Sequence, residues 1–290
     1  MGAGTKLRQI LAQNGLIEAM AAHSPLSAML VAEAGFDAIW ASGFELSALY
    51  GVPDVSVVSM TQHLDMTRAM AERSGLPVVA DIDTGFGNAI NVLYAVAQYE
   101  RAGAAAVVIE DKSFPKVTSL IADGRQEMVR IEEFQGKIEA ARAARRDPDF
   151  LIVARTEALI AGLGQGEALK RARAYEAAGA DMILVHSKQK TPDEVEAFVK
   201  AWDGKAPIAI VPTAYPQMTV ARVRALDKIG LLIWGNHAIR ASVQAMRETF
   251  AQIREEGGIA GVDRRIASVE DVFDLQGMAR VKHDEKRFLR

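Results

Sequence analysis

The sequence predicts a (β/α)8 barrel of the TIM type, and three observations carry that prediction. First, a phrase recurs in which a helix ends, a glycine follows and a short apolar run begins. It reads Ala32-Glu-Ala-Gly-Phe-Asp-Ala-Ile-Trp40, Arg101-Ala-Gly-Ala-Ala-Ala-Val-Val-Ile-Glu110 and Glu176-Ala-Ala-Gly-Ala-Asp-Met-Ile-Leu-Val-His186, with a looser copy at Asp227-Lys-Ile-Gly-Leu-Leu-Ile-Trp234. Second, about eight apolar runs of strand length alternate with stretches of helical period, the pattern of a parallel sheet wrapped by helices. Third, a doubly wound open sheet would need a glycine-rich phosphate loop after an early strand, and no such loop stands there. Gly162-Leu-Gly-Gln-Gly166 comes late and reads as a loop before a helix.

The elements follow in order. Strands are predicted at 17–21, up to Trp40, at 76–80, up to Glu110, at 150–154, up to His186, at 208–211 and up to Trp234. Helical period runs over 61–73, 88–101, 127–144, 166–178 and 191–201. Gly35, Gly75, Gly103, Gly179 and Gly230 each follow a helix end and are expected to take the left-handed C-cap conformation. One further amphipathic helix lies within 262–277, with Ser268-Val-Glu-Asp271 as its capping box. It falls outside the eightfold count. The charged residues 278–290 are expected to be mobile or clamped by a partner. The expected organisation is a single barrel domain over 1–290, with a loop at 113–125 acting as a lid and a C-terminal extension at 258–290.

Composition narrows the function. Half of the 290 residues are hydrophobic, enough for one large core, and the formal net charge is −3. That balance argues against a nucleic-acid or polybasic membrane binder. The chain has no Cys, which excludes disulfides, thiolate metal sites and a cysteine acid or nucleophile. Residues 1–5 lack a basic region followed by an apolar one, and no apolar run reaches the ~18 residues of a membrane span. The expectation is a soluble cytoplasmic protein acting on a small molecule.

Barrel enzymes carry their reacting groups at the C-terminal ends of strands. Reading the residues just past each apolar run gives Trp40, Ser42 and Gly43; Asp81 and Asp83; Glu110, Asp111 and Lys112; Arg155 and Glu157; and His186. Most are ionisable, and they converge from different strands on one mouth. Asp81 and Asp83 are costly to crowd together unless a cation neutralises them. With Glu110, and Asp54 from the loop Gly51-Val-Pro-Asp54, they form an acidic set suited to a hard divalent ion such as Mg²⁺ or Mn²⁺. Arg155 and His186 suit an anionic oxygen. A metal and an arginine together imply a substrate with two anionic ends. An ion pair between Arg155 and Glu157, or a core role for His186, is the competing structural reading.

These residues resemble the phosphoenolpyruvate mutase/isocitrate lyase superfamily over nearly the whole chain. The resemblance rests on Trp40-Ala-Ser-Gly43, Asp81-Ile-Asp-Thr-Gly-Phe-Gly87, Glu110-Asp-Lys112, Ala154-Arg155 with Glu157, and His186-Ser-Lys188. It implies a Mg²⁺-dependent barrel acting on 2-oxo acids, with Mn²⁺ or Co²⁺ as substitutes. It also implies a helix-swapped homo-oligomer, commonly a dimer of dimers, which the extra C-terminal helix fits. The lyases of the superfamily carry a Lys-Lys-Cys-Gly-His type motif after strand four, whereas this chain reads Glu110-Asp-Lys-Ser-Phe-Pro-Lys-Val-Thr-Ser-Leu120. That matches the phosphonate-handling branch. Its mutases have Asn where this chain has Thr118, and its hydrolases have Thr.

The resemblance therefore implies hydrolysis of the C–P bond of 3-phosphonopyruvate to pyruvate and phosphate. Isomerisation to phosphoenolpyruvate, or C–C cleavage of oxaloacetate or malate-type acids, are the alternatives. In that reading Asp81 holds the metal directly, and Asp54, Asp83 and Glu110 mainly through water. Trp40, Ser42, Gly43 and Phe44 contact the pyruvyl group. Lys116, Ser119, Arg155 and His186 hold the phosphonyl oxygens, and Thr118 positions water.

Overall fold

Eight strands pair in parallel, each with its sequence neighbour, and the last returns to the first to close a barrel. The structure is a computed structural model and describes residues 2–119, 121, 124 and 126–289. The strands are β1 (Ile17–Ala22), β2 (Ala38–Ala41), β3 (Val78–Asp81), β4 (Ala104–Glu110), β5 (Leu151–Thr156), β6 (Met182–Val185), β7 (Ile208–Ile210) and β8 (Ile229–Trp234). The helices are α1 (Ala3–Asn14), α2 (Pro25–Glu33), α3 (Gly43–Leu49), α4 (Met60–Ser74), α5 (Ala89–Arg101), α6 (Ile131–Ala144), α7 (Gly164–Ala177), α8 (Asp193–Ala201), α9 (Val220–Ala225), α10 (His237–Glu256), α11 (Val269–Gln276) and α12 (Met278–Phe288). The (β/α)8 barrel is thus the observed fold.

The chain divides into two compact units, Met1–Ala238 and Ile239–Arg290. The first holds the whole barrel. The second holds most of α10, then α11 and α12. Ser268 caps α11 through the expected box with Asp271. The residues after 277 form α12, none of which is buried within the chain.

Strand parity builds the core in two shells. One set of alternating residues, including Ile17, Ala19, Trp40, Val79, Val108, Val153, Leu184, Val211 and Ile233, fills the barrel interior. The other set faces outward and packs under the helices, with Ile39, Ala80, Ile109, Ala154, Ile183 and Leu232. Both shells are buried because a parallel sheet is covered on both faces. Each Val, Leu or Ile among them contributes about 1.5–3 kcal/mol on burial.

Gly35, Gly75, Gly103 and Gly179 take positive φ as expected. Gly230 does not. It lies inside β8, against Pro207 and Leu11 side chains, so its value is close approach rather than a left-handed turn. The helix predicted from 127 begins only at Ile131. Residues before it are taken by a backbone bridge between Lys112 and Met128, flanked by Ser113 N–H to Glu127 O (2.9 Å) and Val129 N–H to Asp111 O (2.9 Å). These bonds pinch the base of the 113–125 loop. Residues 120, 122, 123 and 125 of that loop lie outside the described residues.

A buried polar pair supports the turn after β3. Tyr99 Oη lies 2.8 Å from His63 Nδ1, and Phe86 stacks on Tyr99. Burial, and secondarily the Lys116 charge, push His63 down to about 4. The unfolded chain takes up a proton near 6.5 while the folded one does not. The His63 contribution to stability is therefore full above pH 6.5 and is lost as pH drops toward 4, by about 3 kcal/mol over that window. Denaturant unfolding of wild type and His63→Gln at pH 7 and pH 4.5 isolates it from the raised carboxylates: the margin of the wild type over the variant should shrink on acidification.

Candidate active site

The site follows from the same parity. Residues two beyond an interior barrel residue must point into the barrel mouth. Val79 is thus followed by Asp81, Val108 by Glu110, Val153 by Arg155 and Leu184 by His186. Glu110 and Arg155 are also register partners on β4 and β5, which sets their side chains together, with Nε to Oε2 at 3.4 Å.

One open cavity of about 540 Å³, the solvent at its mouth included, collects ten of the thirteen expected site residues: Trp40, Ser42, Phe44, Asp54, Asp81, Lys116, Thr118, Ser119, Arg155 and His186. Gly43, Asp83 and Glu110 stand directly behind that wall. A Cβ on Gly43 would meet Asp83 Oδ1 at 2.9 Å, so the chain there passes against the carboxylates only as glycine. Asp83 itself has positive φ, and Gly85 (φ +83°) would drive a Cβ into Val92 at 2.4 Å. This turn folds the two carboxylates back on each other, with Asp83 N–H donating to Asp81 Oδ1 at 3.3 Å.

The cavity separates its charges. On one side Lys116 Nζ lies 3.0 Å from Asp54 and 2.8 Å from Asp83. It thus sits among the acids rather than beside Arg155. Burial first, then the neighbouring Asp81, Asp54 and Glu110 charges, raise Asp83 to about 7. Burial raises Asp81 as well. Both oxygens of the buried Glu110 carboxylate lack a hydrogen-bond partner.

When all five carboxylates are ionised, Asp54, Asp81, Asp83, Glu110 and Glu157 face three cations, Lys112, Lys116 and Arg155, a deficit of two positive charges. A divalent ion matches that deficit. Among the described residues no three acidic or histidine side chains form a group that could chelate an ion by themselves. The set fits an ion held by one carboxylate directly and by the others through water.

On the other side Arg155 donates from Nε to Glu157 Oε1 (2.5 Å) and from Nη2 to His186 Nδ1 (3.0 Å). Burial opposes the guanidinium charge, but Glu157, Glu110 and Asp81 together hold it above its ordinary value. Since an arginine only donates, His186 Nδ1 accepts and the proton sits on Nε2. Burial lowers the His186 pKa and keeps the ring neutral, and its Nε2 is buried without a partner. That leaves one donor for an anionic oxygen beside the guanidinium. The ion pair between Arg155 and Glu157 is present, and Arg155 still lines the cavity.

Asp111 parts company with its neighbours. It has the opposite parity to Glu110 and turns outward, accepting from Tyr175 Oη (2.6 Å) and Arg171 Nη1 (3.1 Å) on α7. His23 is likewise structural, paired with the buried Glu45 at 2.9 Å. Sequence reasoning missed the β7 and β8 ends, where Val211, Thr213, Gly235 and Asn236 line the same cavity. Parity could have found Gly235, which follows the interior Ile233, whereas Thr213 follows a strand of only three residues.

The comparisons fit this arrangement. The family model described as phosphoenolpyruvate phosphomutase matches residues 7–254. The chain belongs to that family. It is 61% identical over 284 residues to phosphonopyruvate hydrolase of Variovorax sp., covering 98% of each. It is 45% identical over 285 residues to phosphoenolpyruvate phosphomutase of Tetrahymena pyriformis, covering 98% of this chain and 95% of that protein. A crystal structure of phosphonopyruvate hydrolase in complex with oxalate and Mg²⁺ superposes with a TM-score of 0.95 at 58% identity, over the whole of both chains.

Proposed function

We propose that this enzyme hydrolyses 3-phosphonopyruvate to pyruvate and phosphate. The observation that carries the reading is one cavity with an acidic side, a cationic side and Thr118 on its wall, around which the ionised carboxylates outnumber the cations by two. The 61% identity to a hydrolase of this substrate supports it. Asp81 would hold Mg²⁺ directly, and Asp54, Asp83 and Glu110 through water. When bound, the ion supplies Lewis-acid stabilisation of charge developing on the pyruvyl oxygens.

The protein's own groups do the rest. Ser42 accepts the Glu45 N–H as helix cap, so its hydroxyl proton is available, with the Gly43 N–H, to the 2-oxo oxygen. Trp40 and Phe44 wall the pyruvyl group. Arg155 and the His186 Nε2–H bind phosphonyl oxygens, while Lys116 stays paired with Asp54 and Asp83 at the acidic end. Breaking the C–P bond leaves its electron pair on the pyruvyl group as an enolate, and the phosphoryl group passes through a metaphosphate-like state. Thr118, which both donates and accepts, holds a water in line with phosphorus. That oxygen ends on phosphate, and C3 of the enolate takes up a proton. From the loop after β4, Lys116, Thr118 and Ser119 line the cavity.

A coupled assay for pyruvate tests the activity. Thr118→Ala should lower the hydrolysis rate at least tenfold with an unchanged unfolding midpoint; an unchanged rate removes Thr118 from the mechanism.

The reading includes a cytoplasmic homo-oligomer, a dimer of dimers with exchanged C-terminal helices. No residue of α11 or α12 is buried within the chain, and Val269, Phe273 and Phe288 are exposed apolar side chains. Light scattering should give the mass of four chains.

A further inference from the structure

Glu157 ties together more of the site than any role given above requires. Its carboxylate is wholly buried. Oε1 accepts from Arg155 Nε at 2.5 Å, while Oε2 accepts from Ser119 Oγ at 2.5 Å and faces Lys112 Nζ at 3.2 Å. Lys112 Nζ also donates to Val117 O (2.8 Å) and to Ser119 Oγ (2.7 Å). Arg155 Nη2 donates to the same hydroxyl at 3.0 Å. Ser119 therefore gives its one proton to Glu157 and takes two donors, which exhausts its capacity.

The hydroxyl expected to hold a phosphonyl oxygen is a pin instead. The anchor of this cluster lies outside the cavity. Glu157 N–H donates to Asp111 Oδ1 at 2.9 Å, and Asp111 is fixed to α7 by Tyr175 and Arg171. A fully satisfied buried network of this kind specifies one geometry, and a partly satisfied one does not.

We propose that Glu157 is a positioning residue that locks the 117–119 stretch of the loop, through Ser119 and Lys112, to the Arg155 guanidinium. The wall that grips the phosphonyl group then forms as one unit with the loop. This rests on the functional reading above. Arg155, His186 and Thr118 meet the substrate; Glu157, Lys112 and Ser119 hold them in place.

The test compares wild type, Glu157→Gln, Ser119→Ala and the double variant, each with Mg²⁺ and phosphonopyruvate. Glu157→Gln keeps the shape but presents an amide N–H₂ to donors. It should lower kcat/KM by about 10–100-fold, the usual scale for supporting partners, with KM raised. Inhibition by oxalate, which has no phosphonyl group, should stay within twofold of wild type. The double variant should lose less than the product of the two single losses, because both changes break one network. Wild-type kinetics in Glu157→Gln, multiplying losses, or an equal weakening of oxalate would each overturn the proposal. If Glu157→Gln does not fold, Lys112→Met carries the same expectation, and unchanged kinetics there overturn it too. A wild-type protein with no turnover of phosphonopyruvate faults the functional reading itself, and this inference falls with it.

Discussion

Asp81→Ala should abolish Mg²⁺-dependent turnover, by about 10³-fold or more on the scale of lost metal catalysis, while the protein stays folded. Asp81 closes β3, is almost fully buried and has its backbone in the barrel sheet, so removing the carboxylate leaves the strand intact. Burial and the nearby Glu110 and Asp54 charges already disfavour its ionised form. Its removal therefore relieves repulsion in the metal-free protein, and the unfolding midpoint without Mg²⁺ should hold or rise. The stabilisation that Mg²⁺ gives the wild type should disappear in the variant. Activity retained in excess chelator would sink the metal assignment.

Arg155→Ala should lower kcat/KM by about 10²–10³-fold, the scale of losing one preorganised donor at a developing charge. The cause is twofold. The guanidinium is the cation bonded to His186 Nδ1 at the phosphonyl end. Its loss also leaves Glu157 facing Lys112, Ser119 and the His186 ring, and Glu110 without its nearest cation. A buried carboxylate stripped of its partner is costly, so unlike Asp81→Ala this variant should also unfold at lower temperature. Arg155→Lys restores the charge but not the fork of donors, and it should recover the midpoint better than the rate. Equal rates for Arg155→Ala and wild type would remove the anion-binding role.

Much of this site was legible because barrel geometry turns sequence parity into position. The recurring helix–glycine–strand phrase located the strand ends, and the ends of β2 to β6 supplied the residues that now share a cavity. What escaped was whatever parity alone does not reveal. Thr213 follows a strand of three residues, too short to show its period clearly. Gly230 copies the phrase but lies within its strand. Asp111 is as acidic as Glu110 and differs only in which face it leaves by. Ser119 lies in the matched loop motif, yet its bonding capacity depends on Lys112, Arg155 and Glu157 arriving together from three stretches of chain. The late start of α6 follows from the Lys112–Met128 bridge, a long-range contact that competes with local helix propensity.

The central claim is that water, rather than the enolate oxygen, receives the phosphoryl group. ³¹P NMR of the purified protein with Mg²⁺ and phosphonopyruvate reads that choice directly. The phosphonate resonance should be replaced by that of inorganic phosphate, with pyruvate in equal amount. A phosphoenolpyruvate resonance in its place would make the enzyme an isomerase despite Thr118, and an unchanged spectrum would mean that phosphonopyruvate is not its substrate.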